Sequence, residues 1–287
     1  MKFGIFCNYF SDQNLLAVDS VRQMMDAAQM PYCVNNKLNE RLKKSCATVF
    51  SNKEELILNA DILVTVGGDG TILRAVQYVA GSDIPVLGIN TGRLGFLTSI
   101  TLNEIPNLLD EIKRKVHTIE NRALLEVRAS DQMNAEPGLA FNELSVQKKD
   151  SSSMITIHTE LDGQFLNSYW ADGLIVSTVT GSTAYSLSCG GPVVMPGSDN
   201  IIITPIAPHN LNVRPLIIDD SSEIKLWFET RSSDLLIALD SSARIIQDNV
   251  SINIKKSDIS IKLLRQESYS YLETLRNKLN WGLDRRN

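Results

Sequence analysis

Short apolar runs alternate with longer amphipathic stretches through the first hundred residues, and this rhythm most constrains how the chain can fold. Strands that alternate with helices form a parallel sheet covered by helices. The apolar runs predict strands at Lys2–Cys7, Tyr32–Val34, Ile62–Val66 and Pro85–Ile89. Apolar residues at three- and four-residue intervals predict a helix at Leu15–Gln29, and further helices are predicted near Glu54–Asn59 and at Thr71–Ala80. We therefore expect an N-terminal, open, Rossmann-like α/β domain.

The pattern changes after about Thr101. A predicted helix at Asn103–Lys115 is followed by short runs rich in Val, Ile and Thr, with turn signals such as Asp162-Gly163 between them. These runs predict strands at Leu124–Ala129, Leu144–Gln147, Met154–Glu160, Leu174–Ser177, Ile201–Thr204, Glu223–Phe228, Leu235–Leu239, Val250–Ile254 and Ile259–Leu263. They indicate a second, mainly antiparallel, β-sandwich-like domain, so we predict domains at 1–101 and 102–266. A final helix, predicted at Tyr269–Leu279 within 267–287, is placed to pack back on the first domain.

Length and charge restrict the classes of function. The chain has 287 residues, enough for about two domains, and its 28 Lys and Arg against 33 Asp and Glu leave a net charge of -5. No block of like charges resembles a nucleic-acid-binding tail, so an anionic ligand requires a local site. The four cysteines lack metal-site spacing, and no apolar stretch reaches 18 residues. We expect a cytoplasmic protein with reduced thiols and neither nucleic-acid nor membrane partners.

The densest local signal is the glycine turn Gly67-Gly68-Asp69-Gly70-Thr71, which follows a buried-looking strand and precedes a predicted helix. Backbone N–H groups in such a turn, with the positive end of a helix dipole, can hold phosphate without a lysine. Asp69 would repel a bare phosphate unless it accepts a proton or meets a metal, and phosphoryl transfer needs both functions. The alternative is an aspartate that only caps a tight turn.

This pentad resembles the signature shared by NAD kinases, phosphofructokinases and diacylglycerol-type lipid kinases, which transfer a phosphoryl group to a hydroxyl. The resemblance implies that Asp69 is the catalytic general base. It also implies a phosphate-binding role for Gly67, Gly68 and Thr71, and substrate contacts for Gly70, Leu73 and Arg74. Arg74 is equally compatible with a solvated position on the helix.

Two further motifs bear on the acceptor. The loop Asn90–Leu97 resembles an NAD kinase loop and offers Phe96 as a flat face for a base, although packing into the core is an alternative for this ring. The pair Asn142-Glu143 interrupts an apolar stretch, and its amide and carboxylate suit ribose hydroxyls. By itself this dipeptide is also typical of a strand edge or turn, and its significance comes from the Asn-Glu pair of NAD kinases that contacts adenosine.

The longest match to that family is Asp172–Pro192, which is crowded with hydroxyl groups and glycines. The resemblance implies that Thr183, Ala184 and Ser188 line an adenine pocket, and that Asp172 and Tyr185 face the nicotinamide. A second stretch, Thr204–Leu216, also resembles the family and implies that Ala207 and His209 lie near the nicotinamide, across a subunit boundary. A structural role is the alternative for His209.

This sequence differs from the usual pattern of the family at three places. Val179 stands where the family usually has proline, Trp170 stands where some relatives have arginine, and Asp240-Ser241-Ser242 replaces a frequent Asp-Gly-Gln.

The resemblance to NAD kinases implies an ATP-dependent phosphotransferase that makes NADP by phosphorylating the 2′-hydroxyl of the adenosine ribose of NAD. It implies Mg²⁺ or Mn²⁺ as cofactor, for which the sequence assigns no ligand residue, and a homodimer or homotetramer. A lipid or other small-molecule kinase is the enzyme alternative. A module that senses NAD(H) or NADP(H) without catalysis is the other.

Overall fold

A computed structural model describes residues 1–132, 136–149, 154–231 and 234–282 of the chain. The chain forms two compact units. The first consists of Met1–Asn121 and the described part of Ile261–Asn287, and the second consists of the described part of Arg122–Ser260. Both ends of the chain therefore contribute to the first unit.

The first unit contains a parallel sheet with helices along the chain between its strands. Its strands are β1 (Phe3–Phe6), β2 (Tyr32–Asn35), β3 (Val49–Phe50), β4 (Ile62–Gly67), β5 (Val86–Asn90) and β6 (Ile100–Thr101). They pair in parallel in the order β3-β2-β1-β4-β5-β6. Its helices are α1 (Asp12–Ala27), α2 (Asn36–Asn39), α3 (Lys53–Asn59), α4 (Asp69–Val79), α5 (Ile105–Arg114) and, from the end of the chain, α7 (Tyr271–Leu279).

Local sequence explains where these helices begin. Ser11 caps α1 by accepting a hydrogen bond from the N–H of Asn14, and Asn52 does the same for α3 through Glu55. Apolar side chains of β1, β4, β5, α1 and α5 then form one buried cluster. This packing holds the carboxyl ends of β4 and β5 side by side, with Gly67 opposite Asn90.

The second unit contains antiparallel strands. They are β7 (Thr118–Ala129, which leads in from the first unit), β8 (Gly138–Ala140), β9 (Glu143–Lys148), β10 (Ile155–Leu161), β11 (Gln164–Ala171), β12 (Gly173–Thr178), β13 (Asn200–Ile206), β14 (Leu216–Asp219), β15 (Ile224–Glu229), β16 (Asp234–Leu239), β17 (Ser242–Gln247) and β18 (Ile252–Arg265, which leads back to the first unit). Helix α6 (Tyr185–Ser188) follows β12.

Two layers make up this unit. One is a six-stranded sheet in the order β14-β13-β12-β9-β16-β17, and the other contains β11, β10, β15 and the first part of β18. Apolar residues from both layers form a single buried cluster. Such packing of two sheets on one core is the sandwich arrangement.

The predicted fold class, α/β followed by an antiparallel β domain, is confirmed. The structure adds six strands that the sequence analysis missed, which are β3, β6, β8, β11, β14 and β17. It also joins two predicted strands, Val250–Ile254 and Ile259–Leu263, into the single strand β18. Among the described residues, no helix has the length and apolar character needed to cross a membrane.

Candidate active site

The glycine turn between β4 and α4 has the geometry of a phosphate cradle. Gly67 adopts φ 151°, in the region that favours glycine, and a Cβ there would overlap the Thr71 hydroxyl. Gly68 and Gly70 face open space, because a Cβ at either position would meet no described atom within 4 Å. The N-cap of α4 is Gly68, which carries no side chain to bind the first N–H groups. The N–H of Thr71 donates to the Gly68 carbonyl at 2.9 Å. The N–H groups of Asp69 and Gly70 come before it and no capping side chain binds them, so they can bind an anion.

Asp69 is the first residue of α4, and the following loop surrounds its carboxylate with donors. Its Oδ2 accepts a hydrogen bond from the N–H of Phe96 at 2.7 Å. Its Oδ1 accepts bonds from the N–H of Leu97 at 3.1 Å, the N–H of Thr98 at 2.8 Å and the Thr98 hydroxyl at 2.8 Å. A carboxylate oxygen offers about two lone-pair directions, so Oδ1 is fully used and Oδ2 keeps one free direction.

The loop that binds Asp69 is itself constrained. Gly95 is required there, because a Cβ would overlap the Asp69 carboxylate and the Thr98 hydroxyl. Asn90 donates from Nδ2 to the Thr98 hydroxyl at 2.8 Å and to the Arg93 carbonyl at 3.0 Å. The short Asn90–Thr98 connection is therefore a rigid partner of the aspartate.

The remaining predicted residues of the first unit occupy the surface of this turn. Arg74 is exposed on α4 and Leu73 is half-buried. The ring of Phe96 is also half-buried, and its centroid lies 6.5 Å from that of Tyr271 in α7. Sequence reasoning missed Thr98, whose contact with Asp69 spans 29 residues.

In the second unit, Asn142 and Glu143 are both buried at the start of β9. The carboxylate of Asp240, which follows β16, accepts hydrogen bonds from the N–H groups of Phe141 at 2.8 Å, Asn142 at 2.7 Å and Glu143 at 3.1 Å. Asp240 adopts φ 50°, a conformation more accessible to aspartate than to most residues. The aspartate of the departing Asp240-Ser241-Ser242 motif thus fixes the backbone of the Asn-Glu pair.

Glu143 is an unusual carboxyl group. Burial, followed by the charge of Asp240, raises its pKa from 4.5 to about 7, while the N–H of Tyr185 opposes the shift. Its Oε2 is buried without a hydrogen-bond partner among the described residues. Burial also raises the pKa of Asp240, although the three backbone N–H groups counteract this. A buried acceptor without a partner is well suited to a ligand hydroxyl.

The hydroxyl-rich segment after β12 divides into two sets. Buried hydroxyls hold the segment in place: Thr178 Oγ1 donates to the Phe141 carbonyl at 2.7 Å, and Ser186 Oγ contacts Thr204 Oγ1 at 2.8 Å. The residues predicted to contact the dinucleotide are less covered, with Thr183 and Ala184 half-buried and Tyr185 and Ser188 exposed.

Asp172 and His209 have other partners. Asp172 forms an ion pair with Lys148, whose Nζ lies 2.6 Å from Oδ1. The His209 ring lies against that of Trp170, with centroids 4.7 Å apart. The backbone N–H of His209 donates to the backbone carbonyl of Trp170. Ala207 adopts φ 44° just before it. Trp170, a departure from some relatives, therefore supports His209 directly.

An open glycine turn at a helix N-terminus, with a carboxylate fixed beside it on an α/β fold, defines a phosphoryl-transfer enzyme of the kinase class. Family models match most of the chain: the ATP-NAD kinase N-terminal domain matches residues 3–116, and the ATP-NAD kinase C-terminal domain matches residues 141–266. The chain belongs to the NAD kinase family.

Individual relatives agree with this assignment. The chain is 43% identical over 293 aligned residues to the NAD kinase of Cytophaga hutchinsonii, with 100% of both chains covered. It is 39% identical to that of Bacteroides fragilis, again over the whole of both chains.

Solved structures share the fold. The chain is similar to an NAD kinase from Archaeoglobus fulgidus in complex with ATP, with a TM-score of 0.75, 26% identity and 98% of both chains covered. Yeast NADH kinase complexed with NADH has the same fold, with a TM-score of 0.89 at 24% identity, over 99% of this chain and 89% of that one.

Proposed function

We propose that this protein transfers the γ-phosphoryl group of ATP to the 2′-hydroxyl of the adenosine ribose of NAD. The ribose oxygen forms the new P–O bond, the bond to the β-phosphate oxygen breaks, and NADP, ADP and a proton are the products. The open glycine turn at the N-terminus of α4 is the observation that carries the proposal, because it offers backbone N–H groups that no side chain caps and room for phosphate.

In this proposal Gly67, Gly68 and Thr71 form the phosphate site, and Gly70, Leu73 and Arg74 contact the substrates. Asp69 accepts the proton of the 2′-hydroxyl through the free lone pair of Oδ2. The four bonds that the carboxylate already accepts hold that lone pair in one direction. Orientation of the reacting groups supplies much of the rate in phosphoryl transfer.

The second unit supplies recognition of the dinucleotide. Asn142 and Glu143 orient the ribose, and the Oε2 of Glu143, which is buried without a hydrogen-bond partner among the described residues, supports this role. The more exposed residues contact the bases, as the family resemblance implies: Phe96 in the first unit, and Thr183, Ala184, Tyr185, Ser188, Asp172, Ala207 and His209 in the second.

A divalent metal, Mg²⁺ or Mn²⁺, belongs to the same proposal. The described residues contain no group of three or more His, Cys, Asp or Glu side chains arranged to hold a metal. Mg²⁺ commonly keeps waters and substrate phosphates as most of its ligands, together with one or two carboxylates. Bound with ATP, the metal would neutralise phosphate charge.

The assembly and location that we propose are a homodimer or homotetramer in the cytoplasm. Large apolar side chains exposed on the second unit, such as Leu211 and Trp170, support self-association. All four cysteines are free thiols, which supports a reducing compartment.

One assay tests the activity. Purified protein is incubated with Mg²⁺, ATP and NAD, and NADP is measured with an NADP-specific dehydrogenase. We expect NADP to form in proportion to enzyme. Tight NAD binding without NADP would instead indicate a sensor, and phosphorylation of a lipid in place of NAD would indicate a different kinase.

The variant Asp69→Asn tests the proposed base. We expect turnover to fall about 10²–10⁴-fold, as is usual when a general base is lost. Because an amide would also turn an N–H₂ group towards some of the loop donors, we expect a lower melting temperature as well. Near-native turnover in this variant would contradict the role of Asp69.

A further inference from the structure

Arg265, at the carboxyl end of β18, is a buried charged residue that has no role in the reaction proposed above. Only 2% of its surface is exposed. Its Nε forms an ion pair with Glu120 at 3.0 Å, and its guanidinium carbon lies 4.4 Å from the centre of the Tyr269 ring. Burial of a guanidinium is costly unless it is fully paired, so this position calls for an explanation.

The other donors of Arg265 go to the loop that holds Asp69. Nη1 donates to the Leu97 carbonyl at 2.6 Å and to the Ser99 hydroxyl at 3.1 Å, and Nη2 donates to the Phe96 carbonyl at 3.5 Å. These contacts join residues 166 to 169 positions apart in the chain.

The segment Phe96–Ser99 therefore lies between two opposite charges. Its N–H groups donate to the Asp69 carboxylate, and its carbonyls accept from the Arg265 guanidinium. The peptide dipoles are aligned from one charge to the other, so each contact strengthens the other. We call this segment with its two charged partners the 96–99 clamp.

We infer that Arg265 is a positioning residue of the catalytic site, which acts on Asp69 through the 96–99 clamp. The inference rests on the proposed function, because it concerns the direction of the free Oδ2 lone pair. Without the guanidinium, buried carbonyls at 96 and 97 lose their donor and the loop relaxes. The three backbone N–H groups that orient the Asp69 carboxylate then move with the loop.

Helix α7 reinforces the clamp from the same end of the chain. The Phe96 ring lies against Tyr271, and the ammonium of Lys278 is 5.8 Å from the centre of the Phe96 ring. The segment that follows β18 thus holds both the backbone and the side chain of residue 96. A catalytic loop near residue 96 depends on residues far along the chain.

A second buried arginine in the same unit provides the matched control. Arg22 in α1 is 8% exposed, pairs with Asp19 at 3.0 Å and donates to the Lys44 carbonyl at 2.9 Å. Like Arg265, it forms an ion pair with a carboxylate and donates to a backbone carbonyl, but neither Asp19 nor Lys44 belongs to the 96–99 clamp. Arg22→Lys therefore reports what the loss of a buried guanidinium costs in stability alone.

The experiment compares Arg265→Lys with Arg22→Lys. Lysine keeps the charge but cannot donate to Glu120, Leu97 and Phe96 together. We expect both variants to lower the melting temperature. We expect only Arg265→Lys to lower kcat, by about 10–100-fold, since small misplacements of reacting groups cost up to about 10²-fold. Hydrogen exchange at the amides of residues 96–98 should become at least about tenfold faster in Arg265→Lys and stay unchanged in Arg22→Lys.

A double variant separates positioning from a general loss of stability. If Arg265 acts through Asp69, Arg265→Lys should change kcat less than twofold when it is added to Asp69→Asn. Equal loss of kcat in both backgrounds, or native kcat with native amide exchange in Arg265→Lys, would overturn the inference. Hydrogen exchange needs no substrate, so absence of NADP formation by the wild-type protein would count against the proposed function and leave the clamp to be judged separately.

Discussion

The fold places two acidic side chains, Asp69 and Glu143, in opposite hydrogen-bonding environments. Asp69 accepts four hydrogen bonds, whereas Glu143 has a buried oxygen with no partner among the described residues. Donors fix the orientation of a carboxylate, and burial without donors penalises its ionised form. The two groups are therefore suited to different tasks, one to directed contact at a fixed angle and the other to a change of protonation near neutral pH.

Glu143 should make both stability and activity depend on pH. Because its folded pKa, about 7, lies above its ordinary value of 4.5, the folded protein binds this proton more tightly than the unfolded chain does. Stability from this group is complete below about pH 4.5 and is lost as the pH rises through about 7. Glu143→Gln removes the cost of ionisation, so we expect it to raise the free energy of unfolding at pH 8 by up to about 3 kcal/mol.

Denaturant unfolding at pH 5 and pH 8 measures this effect, with a clear gain expected only at pH 8. In the wild type, kcat/KM for NAD should rise with an apparent pKa near 7, as the carboxylate becomes able to accept ribose hydroxyls. The glutamine variant should lose that rise and bind NAD more weakly. A gain of equal size at both pH values would show that Glu143 is not the titrating group.

At the site, some residues could be identified from the sequence and the roles of others could not. The motif residues from Gly67 to His209 were all named from short, contiguous patterns. The roles of Thr98, Asp240 and Arg265 were not, because each depends on partners that only the folded chain brings together. For Arg265 the available signal was a charged residue directly after the apolar end of a predicted strand.

At the scale of elements, the missed strands share one physical property. β14 and β17 are the two edges of the six-stranded sheet, and β11 lies at the edge of the other layer. β3 ends the parallel sheet of the first unit, and β6 and β8 each pair with a single strand. Edge strands have a neighbour on one side only and are often short or polar. β3, β6, β8 and β14 have at most four residues each, too few for a clear pattern, and β11 and β17 contain many polar residues. β18 was divided in two because its middle, Lys255 to Asp258, is polar, although the backbone continues through it.

The start of α4 leads to a prediction about glycine. Gly70 lies in the first turn of this helix, where alanine is intrinsically better by about 1 kcal/mol. A Cβ at this position meets no described atom within 4 Å, but it would project into the space proposed for phosphate. We therefore expect Gly70→Ala to keep or slightly raise the melting temperature, and to raise KM for ATP by at least about tenfold.

The exposed Gln77→Ala change in the same helix is the matched control, since it alters helix propensity away from the glycine turn. It should leave KM for ATP unchanged. Initial rates at varied ATP concentration, with thermal unfolding of the same samples, distinguish the two variants. An unchanged KM for ATP in Gly70→Ala would show that the N-terminus of α4 does not bind the phosphates of ATP.

At the scale of the whole molecule, the second unit exposes large apolar side chains in and near a family motif. Leu211 is 83% exposed and Trp170, which packs on His209, is 52% exposed. Leu211 lies in the Thr204–Leu216 stretch, for which the family resemblance implies a subunit boundary, so we expect a partner to cover it. A homodimer or homotetramer would bury them, and it would make activity depend on protein concentration.

Sedimentation velocity at the assay concentration checks this prediction. We expect the wild type to sediment as a dimer or tetramer, and Leu211→Asp to shift the distribution towards monomer with lower specific activity on dilution. Leu58→Asp is the control, because Leu58 is similarly exposed, at 77%, but lies on α3 of the first unit. A wild type that remains monomeric would contradict the proposed assembly.

The first unit is assembled from both ends of the chain, and this has a consequence during synthesis on the ribosome. Chains grow from the N-terminus at about 5–20 residues per second, so residue 265 is made some 8–34 seconds after residue 96. Throughout that interval the carbonyls of Phe96 and Leu97 have no guanidinium to bind. A nascent or prematurely ended chain can hold the complete glycine turn while the Asp69 carboxylate is not yet held in its final orientation, so that full phosphoryl-transfer activity would require a chain that extends past Arg265.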